Sequence, residues 1–399
     1  MKQQNAQDIG FRFIGHGTRA ELEQQRVRGE ITPWGGTIGD WTRGEGGDAV
    51  PPDKEALSPD HPAGYIAHPD LAEAVNTAVI LRKPLLLTGK PGTGKSELAE
   101  RIAWEFNLGA VLRFEAQSLS EANDLFYRFD LVGQMAAAQL ARLTLDQTAT
   151  GMQQLENKTR PEHFLCFGPL GNAILRSNPG PNQDLWPIAF PASVQTNVEA
   201  SPSVVLIDEI DKAGRDFPND LLNGIQRMEF RIRELSDRTL RAAPDEHLRP
   251  IVIITSNSER DLPGPFLRRC TYFDIPDPDS DTLRRILLAR VFPEDFHARG
   301  GHSGVAQVRL PPLYEEMLDF FIKFRDKHVD MLAHEPGTSE LIDWTRAVSR
   351  SPDRDEHAGM AQVDNARAIQ RASSAIAKQR DDRGHLLSAL KPRLGLRET

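Results

Sequence analysis

The stretch Gly89-Lys90-Pro91-Gly92-Thr93-Gly94-Lys95-Ser96 constrains this chain more than any other. It reads G-x-x-x-x-G-K-S, the spacing of a loop that wraps its backbone N–H groups around phosphate. Glycines permit the tight path and let those N–H groups converge on one centre. A helix that begins where the loop ends adds the positive end of its dipole. In that arrangement Lys95 reaches the β- and γ-phosphates, and the Ser96 hydroxyl holds Mg²⁺. The flanks agree with the motif. Pro84 to Thr88 is a short apolar run of the kind that forms a buried strand, and Leu98, Ile102, Ala103 and Phe106 recur at helical spacing after it. Gly89, Pro91, Gly92, Thr93, Gly94, Lys95, Ser96 and Glu97 are therefore the candidate nucleotide contacts, with ATP and Mg²⁺ as the expected cofactors.

A second carboxylate-bearing strand fits this loop. Val204-Val205-Leu206-Ile207 is an apolar run that ends in Asp208-Glu209. A buried parallel strand delivers its last residues to the ligand side of a doubly wound sheet. Asp208 is the candidate partner of Ser96 at the metal, and Glu209 the candidate general base that polarises the attacking water. A third apolar run, Ile251 to Ile254, ends at Thr255-Ser256-Asn257, which places Asn257 on the same side to position that water. Arg268 and Arg269 lie just before a further strand at Thr271 to Ile275, and either can stabilise charge on a transferring phosphoryl group.

Composition excludes several classes. A length of 399 residues permits two or three domains, and 39% hydrophobic with 26% charged residues is ordinary for a globular protein. The net charge of −9 argues against a broad nucleic-acid surface. Two cysteines, Cys166 and Cys270, give neither a disulfide framework nor a zinc cluster and fit a reducing cytoplasm. No secretory leader is visible at Met1 to Asn5, and no apolar run approaches the ~20 residues of a membrane helix.

The remaining chain divides into three parts. Residues 1–64 are irregular, broken by Gly35-Gly36, Gly44 to Gly47 and Pro51-Pro52, yet they carry Phe11, Phe13, Ile14, Trp34, Ile38 and Trp41. They read as an arm that packs on the main domain or on a neighbouring subunit, or else as a poorly ordered tail. Residues 65–278 hold the nucleotide core. It includes a helix over Pro69 to Leu81, a strand at Ala110 to Phe114, the aromatic-dense segment Asn123 to Leu131, a helix over Gln134 to Leu145 and a Pro- and Asn-rich insertion at Asn178 to Ser203. The aromatics Phe126, Tyr127 and Phe129 either fill the domain's own core or face a partner or a ring centre. From residue 279 to 399 the pattern is helical, over Thr282 to Val291, Pro311 to Leu332, Ser339 to Ser349 and Ala361 to Gln379.

Taken in order, these features resemble an AAA+ ATPase, and within that family the MoxR group. The stretches "KPLLLTGKPGTGKSELAERIA", "FGPLGNAIL" and "LPGPFLRRC" carry the likeness, which spans about residues 65 to 350. The resemblance implies a doubly wound parallel sheet of five strands followed by a small α-helical lid domain. It also implies a homo-oligomeric ring, usually a hexamer, with ATP at each interface. Asn257 then stands at the sensor-1 place and Arg269 at the arginine finger, with Arg268 as the alternative. The likeness further implies chaperone-like remodelling of a protein partner, in many relatives one with a von Willebrand A domain. The aromatic-rich segment Leu125 to Phe129 resembles variants encoded with such partners, some of them in prokaryotic conflict systems. A nucleotide-gated assembly switch and a nucleic-acid motor remain alternative functions for the same residues. One departure stands out. The lid motif Gly-x-Ser-Pro-Arg is here Gly337-Thr338-Ser339-Glu340-Leu341, so either Arg346 substitutes from another turn or the lid couples less tightly to nucleotide.

Overall fold

The computed structural model describes residues 13–17, 22, 60–144, 158–191, 199–257, 260–298, 309–328 and 331–395. Its centre is a five-stranded sheet in the order β2-β5-β8-β1-β9, from Leu112–Glu115 (β2), Val204–Asp208 (β5), Ile251–Thr255 (β8), Leu85–Thr88 (β1) and Thr271–Asp274 (β9). Every adjacent pair is parallel. Parallel strands are covered on both faces, which is why these segments read as unbroken apolar runs. The alternation shows in the packing. Leu86, Val205, Ile207, Val252 and Ile254 enter one buried cluster, while Leu85, Leu87, Val204, Leu206, Ile251 and Ile253 enter the other.

Helix α1 (Pro69–Leu81) runs into β1, and helix α2 (Lys95–Glu105) leaves the glycine loop. Both cover the same face, with Leu71, Val75, Leu98 and Ile102 buried. The described part of the N-terminal arm packs here too, on its own chain. Asn76 brackets Phe13, accepting from its N–H at 2.6 Å and donating to its carbonyl at 3.0 Å. Glu105 accepts the N–H groups of Ile14 and Gly15, and Arg101 donates to the Gly17 carbonyl at 3.0 Å. Burial pushes the Glu105 carboxyl up, and Arg101 opposes that shift. Phe11, Trp34, Ile38 and Trp41 lie outside the described residues.

The opposite face carries features that periodicity did not separate. Two separate antiparallel ribbons pack there: β3 (Tyr127–Phe129) with β4 (Leu165–Phe167), and β6 (Glu229–Ile232) with β7 (Arg238–Arg241). Helix α3 (Leu131–Thr144) follows β3, α4 (Pro169–Ser177) follows β4, and α5 (Phe217–Arg227) precedes β6. Phe230 joins the ribbons, its ring centroid 5.3 Å from Phe126 and 6.0 Å from Tyr127. Gly171 has no room for a side chain, since a Cβ there would lie 1.9 Å from the Phe126 carbonyl oxygen. Phe126 and Tyr127 are thus core residues, and Phe129 packs half-buried against the same cluster. Exposed apolar side chains in this region are Leu119, before β3, and Leu131, Val132, Met135 and Leu140 on α3.

The C-terminal helices α6 (Ser280–Val291), α7 (Pro312–His328), α8 (Thr338–Ser349), α9 (Val363–Arg371) and α10 (Arg380–Leu390) build a separate apolar core around Trp344, Tyr314 and Phe321. The single helix expected over Ala361 to Gln379 is two, since a second short helix at Ser373–Ile376 follows α9. Among the described residues no helix is long and apolar enough to cross a membrane.

Truncating the aromatic joint tests this packing. Phe230→Ala or Phe126→Ala should each cost about 3 kcal/mol of unfolding free energy in denaturant titration. Val132→Ala, on the exposed face of α3, should change it by less than about 0.5 kcal/mol.

Candidate active site

The loop from Gly89 to Gly94 sits at the C-terminal end of β1, between β8 and β9, where an open parallel sheet leaves a crevice. Gly89, Gly92 and Gly94 take φ of 137°, 77° and 82°, values that exclude most side chains. The ring of Tyr65 closes over Gly94, 3.1 Å from where a Cβ would be. Lys95 opens α2 and folds back on the loop, donating to the carbonyls of Gly89 at 2.7 Å and Lys90 at 2.9 Å. Burial lowers its pKa, while Asp208, Asp211, Glu209 and Asp274 oppose the shift.

Ser96 Oγ donates to both oxygens of Asp208 at 2.9 Å, which brings together the two residues expected to share a metal. Thr255 makes this a three-element joint. Its hydroxyl donates to Asp208 Oδ1 and accepts the backbone N–H of Glu209 at 2.9 Å. Glu209 adopts a left-handed φ of 54°, uncommon for a non-glycine residue, and the Thr255 bond helps hold it there. Its carboxylate meets Asn257 Nδ2 at 3.2 Å and Lys212 Nζ at 2.5 Å. The Asn257 backbone N–H in turn donates to Asp211. So Lys95, Ser96, Asp208, Glu209 and Asn257 converge on one crevice.

An oxygen pair from Ser96 and Asp208 suits Mg²⁺, a hard cation that keeps water and phosphate ligands. Among the described residues no group of three or more His, Cys, Asp or Glu could hold a metal ion by itself, so phosphate would supply further ligands. Thr255, Asp211, Lys212 and Tyr65 were not singled out from the sequence. Thr255 was visible as the last residue of an apolar strand, but its bonds to β5 depend on which strands are neighbours.

Arg268 and Arg269 are elsewhere. They precede β9, and Thr271 pairs with Leu85, so they lie at the opposite end of β1 from the loop. Four strand residues separate the two ends, about 13 Å. Among the described residues neither guanidinium has a hydrogen-bond or ion-pair partner, and Arg268 is exposed. Both line a cavity of about 580 Å³ with Arg82, Lys83 and Arg249. Cys270 beside them is half-buried, and its thiol is pushed up to about 12 by burial.

The sheet order, the glycine cradle and the carboxylate pair define a P-loop nucleoside triphosphatase core. Residues 84–270 match the family model of the AAA domain, dynein-related subfamily. Over that stretch the chain is similar to AAA domains. Among solved structures, the chain is similar to the RuvB Holliday junction branch migration motor of Thermotoga maritima. There the identity is 14% and the TM-score 0.35, with 82% of this chain and 70% of that one covered. It is also similar to C. elegans PCH-2, at 15% identity and a TM-score of 0.36, with 84% of this chain and 72% of that one covered. No curated protein sequence matches the chain.

Thr255→Val isolates the joint. The variant keeps the shape of the side chain but frees one side of Asp208 and orphans the Glu209 N–H. ATP turnover should fall about 10- to 100-fold, as when an outer partner of a metal-holding group is lost. A phosphate-release assay over a range of Mg²⁺ concentrations checks it, and wild-type turnover would remove Thr255 from the site.

Proposed function

We propose that the protein works as a ring of identical subunits, each holding ATP against its neighbour, and that hydrolysis remodels or activates a protein partner. The observation that carries this reading is the placement of Arg268 and Arg269 at the far end of β1 from their own loop. A cation there serves a neighbour's phosphates more readily than its own. Contacts of this kind are heterologous, and identical subunits joined by them close into rings or extend as helices.

Within one site the residues take distinct tasks. Loop amides from Gly89 to Gly94 and the Lys95 ammonium hold the phosphates, with Pro91, Thr93 and Glu97 shaping the cradle. Ser96 and Asp208 would hold Mg²⁺, which supplies charge neutralisation at the phosphates when bound. Glu209 takes the proton of the attacking water, and Asn257, already bonded to that carboxylate, orients the pair. Arg269 of one subunit, or Arg268, offsets the charge that develops in the adjacent site.

A protein partner, in place of nucleic acid, is favoured by charge and by surface. The chain carries −9 overall. Helix α3 exposes Leu131 by 56%, Val132 by 79%, Met135 by 57% and Leu140 by 63%, an apolar stripe of the kind that marks protein contacts. These features agree with a MoxR-like role beside a partner such as a von Willebrand A domain protein. A switch that assembles on ATP and hydrolyses slowly uses the same residues, and its signature is assembly without partner remodelling.

Two experiments test the reading. Glu209→Gln should retain ATP binding and lose at least about 100-fold in turnover, and Asn257→Ala should follow it in kind with little loss of affinity. Mixing Lys95→Ala with Arg269→Ala, each inactive alone, should restore part of the ATPase activity where an intact loop meets an intact arginine. If subunits exchange and no activity returns, while Arg269→Ala and Arg268→Ala are each fully active alone, the shared-site reading fails.

A further inference from the structure

The C-terminal helices touch the phosphate loop at three places. Lys90, the second residue of the loop, extends its ammonium away from the crevice. It bonds Asp277, just past β9, at 2.9 Å and both oxygens of Glu335, just before α8, at 2.9 Å. Glu97, one residue beyond Ser96, pairs with Arg290 on α6, whose side chain is almost fully buried. Between them, Ser339 at the start of α8 sits against Gly92, so close that a Cβ there would lie 2.4 Å from its hydroxyl oxygen.

Lys90 is unusual because both of its ends are engaged. Its carbonyl accepts the Lys95 ammonium at 2.9 Å, and its own ammonium bridges Asp277 of the nucleotide core and Glu335 of the lid. Phosphate that draws the Lys95 ammonium inward takes that donor from the Lys90 carbonyl. The loop backbone at residue 90 is then released from one constraint while its side chain still holds Glu335. We propose that Lys90 is a positioning residue that links phosphate occupancy to the placement of the lid, with Glu335 as its lid-side receiver and the Glu97–Arg290 pair as a fixed pivot. The inference rests on nucleotide binding at the Gly89 loop and is independent of ring formation. A ligand shifts a two-state element only through contacts that differ between the states, and the Lys95-to-carbonyl bond is such a contact.

The test uses the full-length protein and reads hydrogen–deuterium exchange in lid peptides covering 331–349, with and without saturating AMP-PNP and Mg²⁺. Occupancy is measured in parallel by equilibrium dialysis. In wild type, nucleotide should change the exchange rate of these peptides at least about fivefold. In Lys90→Gln and in Glu335→Gln the change should shrink below about twofold with nucleotide still bound, and Lys90→Arg should keep most of it. Since Lys90 is 53% exposed, added salt should also erode the wild-type response. Glu335 lies outside the phosphate loop, so its variant reports on the link even if Lys90→Gln binds nucleotide poorly. The proposal is overturned if Glu335→Gln responds like wild type, if Lys90→Arg behaves like Lys90→Gln, or if the wild-type lid ignores bound nucleotide.

Discussion

The hydrogen bonds around Asp208 hold the centre of this molecule together. Its carboxylate ends β5 and is met by Ser96 from α2 and Thr255 from β8. Three segments far apart in sequence are thereby locked at one point, and the same threonine hydroxyl fixes the strained backbone of Glu209. A charged group so placed needs partners for all its lone pairs, since an unsatisfied carboxylate in a crevice costs far more than a neutral group. One of these partners, Ser96, is also the group we propose beside Asp208 at the metal. Stability and function therefore draw on the same contacts at this point, and changes to one are felt in the other.

Around that centre the sheet separates two tasks by its two faces. One face receives α1, α2 and the described N-terminal segment, zipped down by Asn76, Glu105 and Arg101. This backing is bonded to Glu105 and Arg101 of the helix that presents Lys95 and Ser96. The other face carries the ribbons joined by Phe230, which hold α3 with its apolar stripe exposed. One face thus backs the helix that follows the loop, and the other leaves apolar side chains of α3 exposed.

The two ends of the sheet differ as sharply. The loop, the carboxylates and the lid contacts gather at the C-terminal ends of the strands, while Arg268 and Arg269 stand with Arg82, Lys83 and Arg249 around a cavity at the other end. Glu246 lines the same cavity and offsets part of that positive charge.

The glycine loop, the strands that feed it and the residues Lys95, Ser96, Asp208, Glu209 and Asn257 were legible in the sequence. Buried parallel strands leave unbroken apolar runs, and the residue that ends such a run falls at the ligand edge. Helix α1 was also legible to the residue, because Pro69 and the apolar stripe mark its limits. Other features depended on tertiary contact. The ribbons β3–β4 and β6–β7 are only three or four residues per strand, too short for a period to show. Whether Phe126 and Tyr127 were core or surface depended on Phe230, about a hundred residues away. The role of Thr255 required that β5 and β8 be neighbours, and the double engagement of Lys90 required the lid to fold back over the loop. Local pattern records which face of an element is apolar; it does not record which distant element comes to lie against that face.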